Sequence, residues 1–340
     1  MYDSVTMHLP DACVSEDKLS DVSYHSYGMS NYTTAVGYLQ NLRITLRQDE
    51  TMIKGSLARF YYKHNIDTLL QTDVPKALEC LSDALCVNVS EGIVKRVDVA
   101  ATLLMKHDPA SYLQILEDYP RTKRVVHTGE TVSFINSARA VIFYDKFKEM
   151  GKAHSRSMRT PVERLVHKEL LRRIPRNILR CECQLKNLKR MFPSGLKVFQ
   201  LANDAVYLRL IAEWRQACLG VTKSGATAPQ TSATTPKELI QNLASAGLRA
   251  IGGLSRALDI VSHEPTMNAM QKSRVRKKLR SLTQMNTGGA DDLAKELDDA
   301  IRAAASAALT GVPESTALFR IGSADTFPNA KLGGLKRPLA

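Results

Sequence analysis

"NILRCECQLKNL", residues 177–188, decides how this chain folds. Strand alternation sends Leu179, Cys181, Cys183 and Leu185 to one face, and Ile178, Arg180, Glu182 and Gln184 to the other. The first face is suited to a covering of helices, and the second carries charge. "VKRVDVAATL", residues 94–103, repeats the pattern: Val97, Val99 and Ala101 share a face that Arg96 and Asp98 oppose. "AVIFYDKF", residues 140–147, sets Ile142, Tyr144 and Lys146 opposite Val141 and Phe143. If the three strands are neighbours, one sheet face displays Asp98, Glu182, Arg96, Arg180, Lys146 and Tyr144.

Helical segments lie between these strands. "DVPKALECLSDALCV" places apolar residues at Val74, Ala77, Leu78, Leu81, Leu85 and Val87, the period of an amphipathic helix. "DPASYLQILEDY" predicts a short helix with Asp108 as cap and Pro109 at its first position. "TPVERLVHKELLRRIP", residues 160–175, predicts a helix capped by Thr160 and stopped at Pro175. Residues 195–219 predict another, bearing Trp214. Residues 1–10 read as a strand, 41–62 as two strands joined at Gln48-Asp49-Glu50, and 122–134 with 138–147 as a strand pair. Residues 11–37 read as polar and irregular. The order predicts an α+β fold: a mainly antiparallel sheet with helices packed on one face, followed by an all-helical C-terminal region.

"KSGATAPQTSATTP", residues 223–236, has the Ser, Thr, Ala and Pro content of a linker. The expected division is a domain at 1–220 that carries the chemistry, a linker at 221–236, a helical accessory domain at 237–312 and a flexible tail at 313–340.

Hydrophobic residues make up 44% of the 340, enough to bury a core and to exclude wholesale disorder. The 47 basic residues exceed the 34 acidic ones, giving +13 and favouring a polyanionic partner, nucleic acid first. No stretch approaches about 18 uninterrupted apolar residues, and the first residues have no signal-peptide pattern, so the expected location is cytoplasmic. The six cysteines form no CxxC pair, which points away from a zinc site or a disulfide framework. Residues 152–190 carry twelve Lys or Arg against three Glu, with Arg172, Arg173, Arg176, Lys189 and Arg190 as candidates for a phosphate track. "QKSRVRKKLR", residues 271–280, holds six basic residues and no acid, with Arg276, Lys277 and Lys278 as a second candidate. Either run also suits an ordinary solvated helix face.

The shared face suggests a chemistry. Two carboxylates, Asp98 and Glu182, can hold a hard divalent cation such as Mg²⁺ or Mn²⁺. The cation, with Arg96, Arg180 and Lys146, would bind and polarise a phosphodiester. Tyr144 would supply a nucleophile and a covalent intermediate, given help in ionising a phenol of ordinary pKa about 10. The same spacing equally suits surface ion pairs, Arg96 with Asp98 and Arg180 with Glu182, worth about 0–1 kcal/mol each when exposed. Tyr61 and Tyr62 are the competing nucleophiles, facing opposite ways if they lie on a strand. His8 and His127 suit either a ligand or proton-shuttle role or a purely structural one.

Several of these stretches, in order, resemble one known family. "MYDSVTMHLP" (1–10), "KGSLARFYYKHNIDTL" (54–69) with the helix after it, "VKRVDVAATL", "ARAVIFYDKFKEM" (138–150) and "NILRCECQLKNLKRMF" (177–192) are similar to the gene II replication initiators of filamentous phages and their plasmid and phage relatives. The resemblance implies a rolling-circle initiator, an endonuclease and strand transferase. Such proteins nick one strand at an origin, become joined to the 5′ phosphate through a tyrosine, leave a 3′-OH for a polymerase and later rejoin the strand. The family's tyrosine falls at Tyr144, its following lysine at Lys146 and its acidic strand positions at Asp98 and Glu182; the metal role of those acids rests on their chemistry. The implied partners are origin DNA, duplex and single-stranded, with host polymerase and helicase, in a bacterial host cytoplasm and away from membranes. The His-hydrophobe-His metal motif of many rolling-circle initiators has no counterpart here. A mobilisation relaxase and a non-catalytic DNA-binding protein remain as alternatives. The resemblance thins after residue 220 and assigns the helical C-terminal part no role.

Overall fold

The computed structural model describes residues 1–310 except 11, 13, 27–32, 49, 158–167, 169–170, most positions between 224 and 252, and 285–291. Ten strands form one antiparallel sheet. In chain order they are β1 (Tyr2–Pro10), β2 (Ser20–Ser26), β3 (Thr33–Leu39), β4 (Leu42–Arg47), β5 (Glu50–Ser56), β6 (Ile93–Leu104), β8 (Lys123–His127), β9 (Thr131–Ile135), β10 (Arg139–Asp145) and β11 (Ile178–Leu185). Their spatial order is β2-β3-β4-β5-β1-β6-β11-β10-β9-β8. A two-stranded ribbon pairs β7 (Leu116–Asp118) with β12 (Thr222–Lys223).

The alternation read in residues 177–188 holds. Leu179, Cys181, Cys183 and Leu185 of β11 are buried beside Val97, Val99 and Leu103 of β6 and Val141 and Phe143 of β10. Helix α5 (Asp204–Leu219) covers this face and contributes Trp214, whose Nε1 donates to the Cys181 carbonyl at 3.1 Å. Helix α2 (Val74–Leu85) buries Val74, Ala77, Leu78, Leu81 and Leu85 in the same core, five of the six positions its period predicts; Val87 lies past the helix end and is half-buried. In α3 (Pro109–Ile115), Asp108 caps as predicted, accepting from Ala110 N at 2.8 Å.

The helical C-terminal region comprises α6 (Gly253–His263), α7 (Ala269–Gln284) and α8 (Asp292–Thr310). Helix α8 packs on α5 and β6, placing Leu297, Ile301 and Ala305 in the core built on the sheet. Lys223 pairs with Asp298 at 2.9 Å, and Arg280 of α7 pairs with Asp118 of β7 at 2.7 Å.

The predicted 195–219 helix begins only at Asp204, where Asn203 caps it, after a separate 3-10 turn at Val198–Ala202. Four further expectations need correction. Residues 11–37, read as irregular, contain β2 and β3; their polar side chains alternate weakly, and lateral backbone pairing organises them. Residues 57–62 form a helix, α1 (Leu57–Tyr62), because Ser56 caps it by accepting from Arg59 N and Lys63 ends it at φ +66°. Residues 122–134 are two strands, β8 and β9, folded on each other by a turn at residues 128–130. Lys146 begins a helix, α4 (Lys146–Ser157), where the reading had it on the strand: Asp145 accepts from Lys148 N at 3.0 Å and so caps the helix start. The predicted 160–175 helix falls mostly outside the described residues, as do most of the linker and the tail beyond residue 310.

Candidate active site

The three charged strands are neighbours. β11 lies between β6 and β10, with Tyr144 opposite Arg180, Ile142 opposite Glu182 and Gln184 opposite Asp98. Paired residues share a face, so Arg96, Asp98, Arg180, Glu182 and Tyr144 do stand together. The face is not a solvated one, however. Asp98 and Arg180 are 1% and 0% exposed and Glu182 7%, so exposed surface ion pairs do not describe them.

A further acid, absent from the sequence reading, sits at the centre. β1 pairs Tyr2 with Val99 and Val5 with Val97, so two residues of β1 oppose Asp98 alone. This bulge keeps both Tyr2 and Val5 in the apolar core and turns Asp3 to the polar face. There its Oδ2 lies 2.8 Å from Arg180, and its Oδ1 accepts from Ser56 Oγ at 2.9 Å. Burial alone would raise the Asp3 pKa; Arg180 and Lys146, with the Ser56 bond, hold it below its ordinary value.

Arg180 also binds the chain that covers this face. Its Nη1 donates to the carbonyls of Asn65 (3.2 Å) and Ile66 (3.1 Å) and to Thr102 Oγ1 (2.9 Å). Ile66 joins Met150, Ile174 and Ile178 in a small apolar cluster, so residues 63–70, α4 and residues 171–174 close one end of the site. His64 lies in this cover, stacked on Tyr62 at 6.0 Å, with its Nδ1 buried and unbonded among the described residues.

The carboxylates differ in the direction of their pKa shifts. Asp98 accepts two bonds from Arg96, at 2.7 and 2.6 Å, yet burial raises its pKa to about 6 against Arg96's pull, with Asp3 adding to the rise. Burial raises Glu182 to about 7, helped by Asp3 and Asp98 and opposed by the Gln184 bond and Arg180. Two neighbouring carboxylates, once deprotonated, offer the oxygen ligands a hard divalent cation prefers, and a cation would favour that deprotonated form over the protonated one that burial favours. Among the described residues, no group of three or more His, Cys, Asp or Glu is arranged to hold a metal ion.

Lys146 is fully buried despite its helical position. Its Nζ bonds Glu149 at 2.8 Å and sits 5.8 Å from the Tyr144 ring centre. Burial and Arg180 lower its pKa, with Glu149 opposing. Burial holds the Tyr144 phenol well above its ordinary value; Arg180 pulls it down, while Glu182, Asp3 and Glu149 push it up.

The other candidates are placed elsewhere. Tyr61 and Tyr62 are consecutive on α1, with Tyr62 donating to Asp73. His8 is bonded to Glu50 at 2.5 Å, and His127 is exposed at the end of the edge strand β8. Arg172, Arg173 and Arg176 are exposed beside the site's apolar cover, Arg176 lying 5.9 Å over the Phe147 ring. Lys189 and Arg190 follow the far end of β11 from Arg180. In α7, Arg276 bonds Ser262 of α6 at 3.1 Å, while Lys277 and Lys278 are exposed. That helix packs on α6 and β12, which contribute nothing to the cluster.

Among the described residues, no helix is long and apolar enough to cross a membrane. No curated protein and no solved structure matches the chain. The family model for the N-terminal part of the phage replication-associated protein of gene II type matches residues 1–206, a span that includes every residue of the cluster. The chain therefore belongs to the gene II family of phage replication-associated proteins.

Proposed function

We propose that the protein is a rolling-circle replication initiator. It nicks one DNA strand at an origin through a covalent 5′-phosphotyrosine and later rejoins that strand. The observation that carries this reading is the convergence of Tyr144, Arg180, Asp98 and Glu182 from three adjacent strands, with Lys146 beside the Tyr144 ring.

Tyr144 Oη forms a bond to the scissile phosphorus as the bond from phosphorus to the 3′ oxygen breaks. The phenol gives up its proton to solvent, the departing oxygen takes one up to become a 3′-OH, and the strand's 5′ phosphate stays on Tyr144. Because the phosphotyrosine bond keeps the energy of the bond it replaces, the reverse attack by a 3′-OH reseals the strand. Arg180, buried and opposite Tyr144, favours the phenolate and is fixed before the substrate arrives. Lys146 adds positive charge at the same ring and faces the charge that builds up on the phosphate oxygens. Asp98 and Glu182 would hold one Mg²⁺ or Mn²⁺, which when bound supplies a Lewis acid to the phosphate and lowers the phenol pKa. Arg172, Arg173 and Arg176 at the rim suit contacts to the flanking phosphates.

The test is incubation of the full chain with supercoiled DNA from its own replicon in Mg²⁺ or Mn²⁺. The expected product is nicked DNA with protein on the 5′ end, lost in Tyr144→Phe and in excess EDTA. Binding without a nick under any metal would make this a DNA-binding protein; a nick that persists in Tyr144→Phe would move the nucleophile.

A further inference from the structure

The polar face continues beyond the cluster. Following the register outward from β6, Arg96 is paired with Thr6, Thr6 with Lys54, Lys54 with Arg43, and Arg43 with Tyr38. Cross-strand partners lie on the same face, so these five residues form one row running across β6, β1, β5, β4 and β3. At the usual strand spacing the row is about 19 Å long. Arg43 and Lys54 are exposed, Tyr38 is 40% exposed, and nothing among the described residues pairs with either cation at contact distance. The row contains no acid until it reaches Asp98, which Arg96 binds and whose charge Lys54 also stabilises. The nearest acid on this face of β5, Glu50, is itself bonded to His8 and Arg47. On the opposite face, Leu42, Ile44, Ile53 and Met7 are buried, so the wing is a rigid slab with one wet, positive side.

We propose that this row is a binding track for single-stranded DNA that leads one strand onto the nicking site; it rests on the initiator reading for its purpose and on its own geometry for its ligand. Arg43 and Lys54 stand side by side on adjacent strands, about 4.8 Å apart at the backbone, where two phosphates of one strand can reach them. Tyr38 offers a sequence-tolerant platform on which a base stacks. A duplex presents two backbones, whereas the row is a single line of charge across one face of the sheet and matches one. A surface built in this way reads backbone and base faces, so it sets the path of the strand rather than the origin sequence.

The experiment measures fluorescence anisotropy of the full chain with a labelled oligothymidine of about 20 nucleotides, and with a duplex of equal length, in EDTA between about 50 and 200 mM salt. The expected result for Arg43→Ala with Lys54→Ala is binding of the single strand weakened about tenfold or more, with the log–log salt slope shallower by about 1.4, since each single-strand phosphate contact contributes about 0.7. Tyr38→Ala should weaken the single strand without changing that slope. Arg43→Lys with Lys54→Arg should restore it, which separates lost charge from misfolding. An unchanged slope in the double alanine variant overturns the proposal, as does a loss confined to the duplex. The wild-type nicking assay is scored separately: a nick with an unchanged slope removes the track alone, and a changed slope without any nick removes the initiator reading alone.

Discussion

At the scale of single residues, the account turns on Asp3 and Arg180. Arg180 is a fully buried cation whose charge is met by Asp3 at 2.8 Å. Removing one partner of a buried pair leaves the other uncompensated, so Asp3→Asn should cost about 3–5 kcal/mol in urea unfolding, with Asp3→Glu recovering part of it. Asp3 was not legible because parity fails there: counting along "MYDSVTM" cannot show that two residues of β1 oppose one residue of β6. Asp98, Glu182, Arg96 and Arg180, on strands that alternate regularly, were legible. The two raised acids also predict how stability responds to pH. Asp98 rises from 3.8 to about 6 and Glu182 from 4.5 to about 7, so between those limits the folded state binds more protons than the unfolded one. Through these two groups stability without a divalent cation should therefore fall as pH rises from about 4 to about 7, by up to about 1.4 kcal/mol per pH unit for each, while the buried Met1 amino group, lowered from 8.0 to about 4, and the lowered His64 act in the opposite sense over the same range. Asp3, whose pKa is lowered, acts in the opposite sense only below that window. Chemical unfolding of wild type and Glu182→Gln across this range checks the Glu182 share: relative to wild type, the variant should gain stability as pH rises from about 4.5 to about 7.

At the scale of elements, local chemistry overrode pattern in instructive places. "LARFYY" is aromatic and reads as a strand, yet the cap at Ser56 makes it α1, and the same Ser56 hydroxyl orients Asp3. Asp145 ends β10 and caps α4, so Lys146 reaches the Tyr144 ring from a helix start and not along the strand. β2 carries few apolar residues, and in β3 the adjacent Ala35 and Val36 are both buried, so neither strand alternates cleanly and pairing with β4 organises them. The helical character of residues beyond 237 was plain from periodicity, but the packing of α8 on the sheet was not, since a helix's apolar stripe does not name its partner. That packing makes a clear prediction. Leu297 is fully buried, so Leu297→Ala should destabilise by about 2–5 kcal/mol within the same unfolding transition that reports Trp214 fluorescence. A Trp214 transition unaffected by the substitution would mean that α8 is not part of the core that α5 and the sheet share.

For the whole molecule, the antiparallel sheet with helices on its apolar face followed from alternating strands and periodic helices. The strand order did not, because β11 enters between β6 and β10 only after a long excursion through α4, and no local signal records that choice. The order is what brings the tyrosine, the arginines and the acids together. Part of the net charge of +13 is set out along the sheet in the row from Tyr38 to Arg96, which leads to those same acids. The measurement that tests the central claim most directly is mass spectrometry of the protein after reaction with single-stranded DNA spanning its own origin. The account predicts that the tryptic peptide running from Ala140 to Lys146 carries a nucleotide through its 5′ phosphate on Tyr144. A nucleotide on Tyr61 or Tyr62, or cleaved DNA with no protein adduct at all, would contradict it.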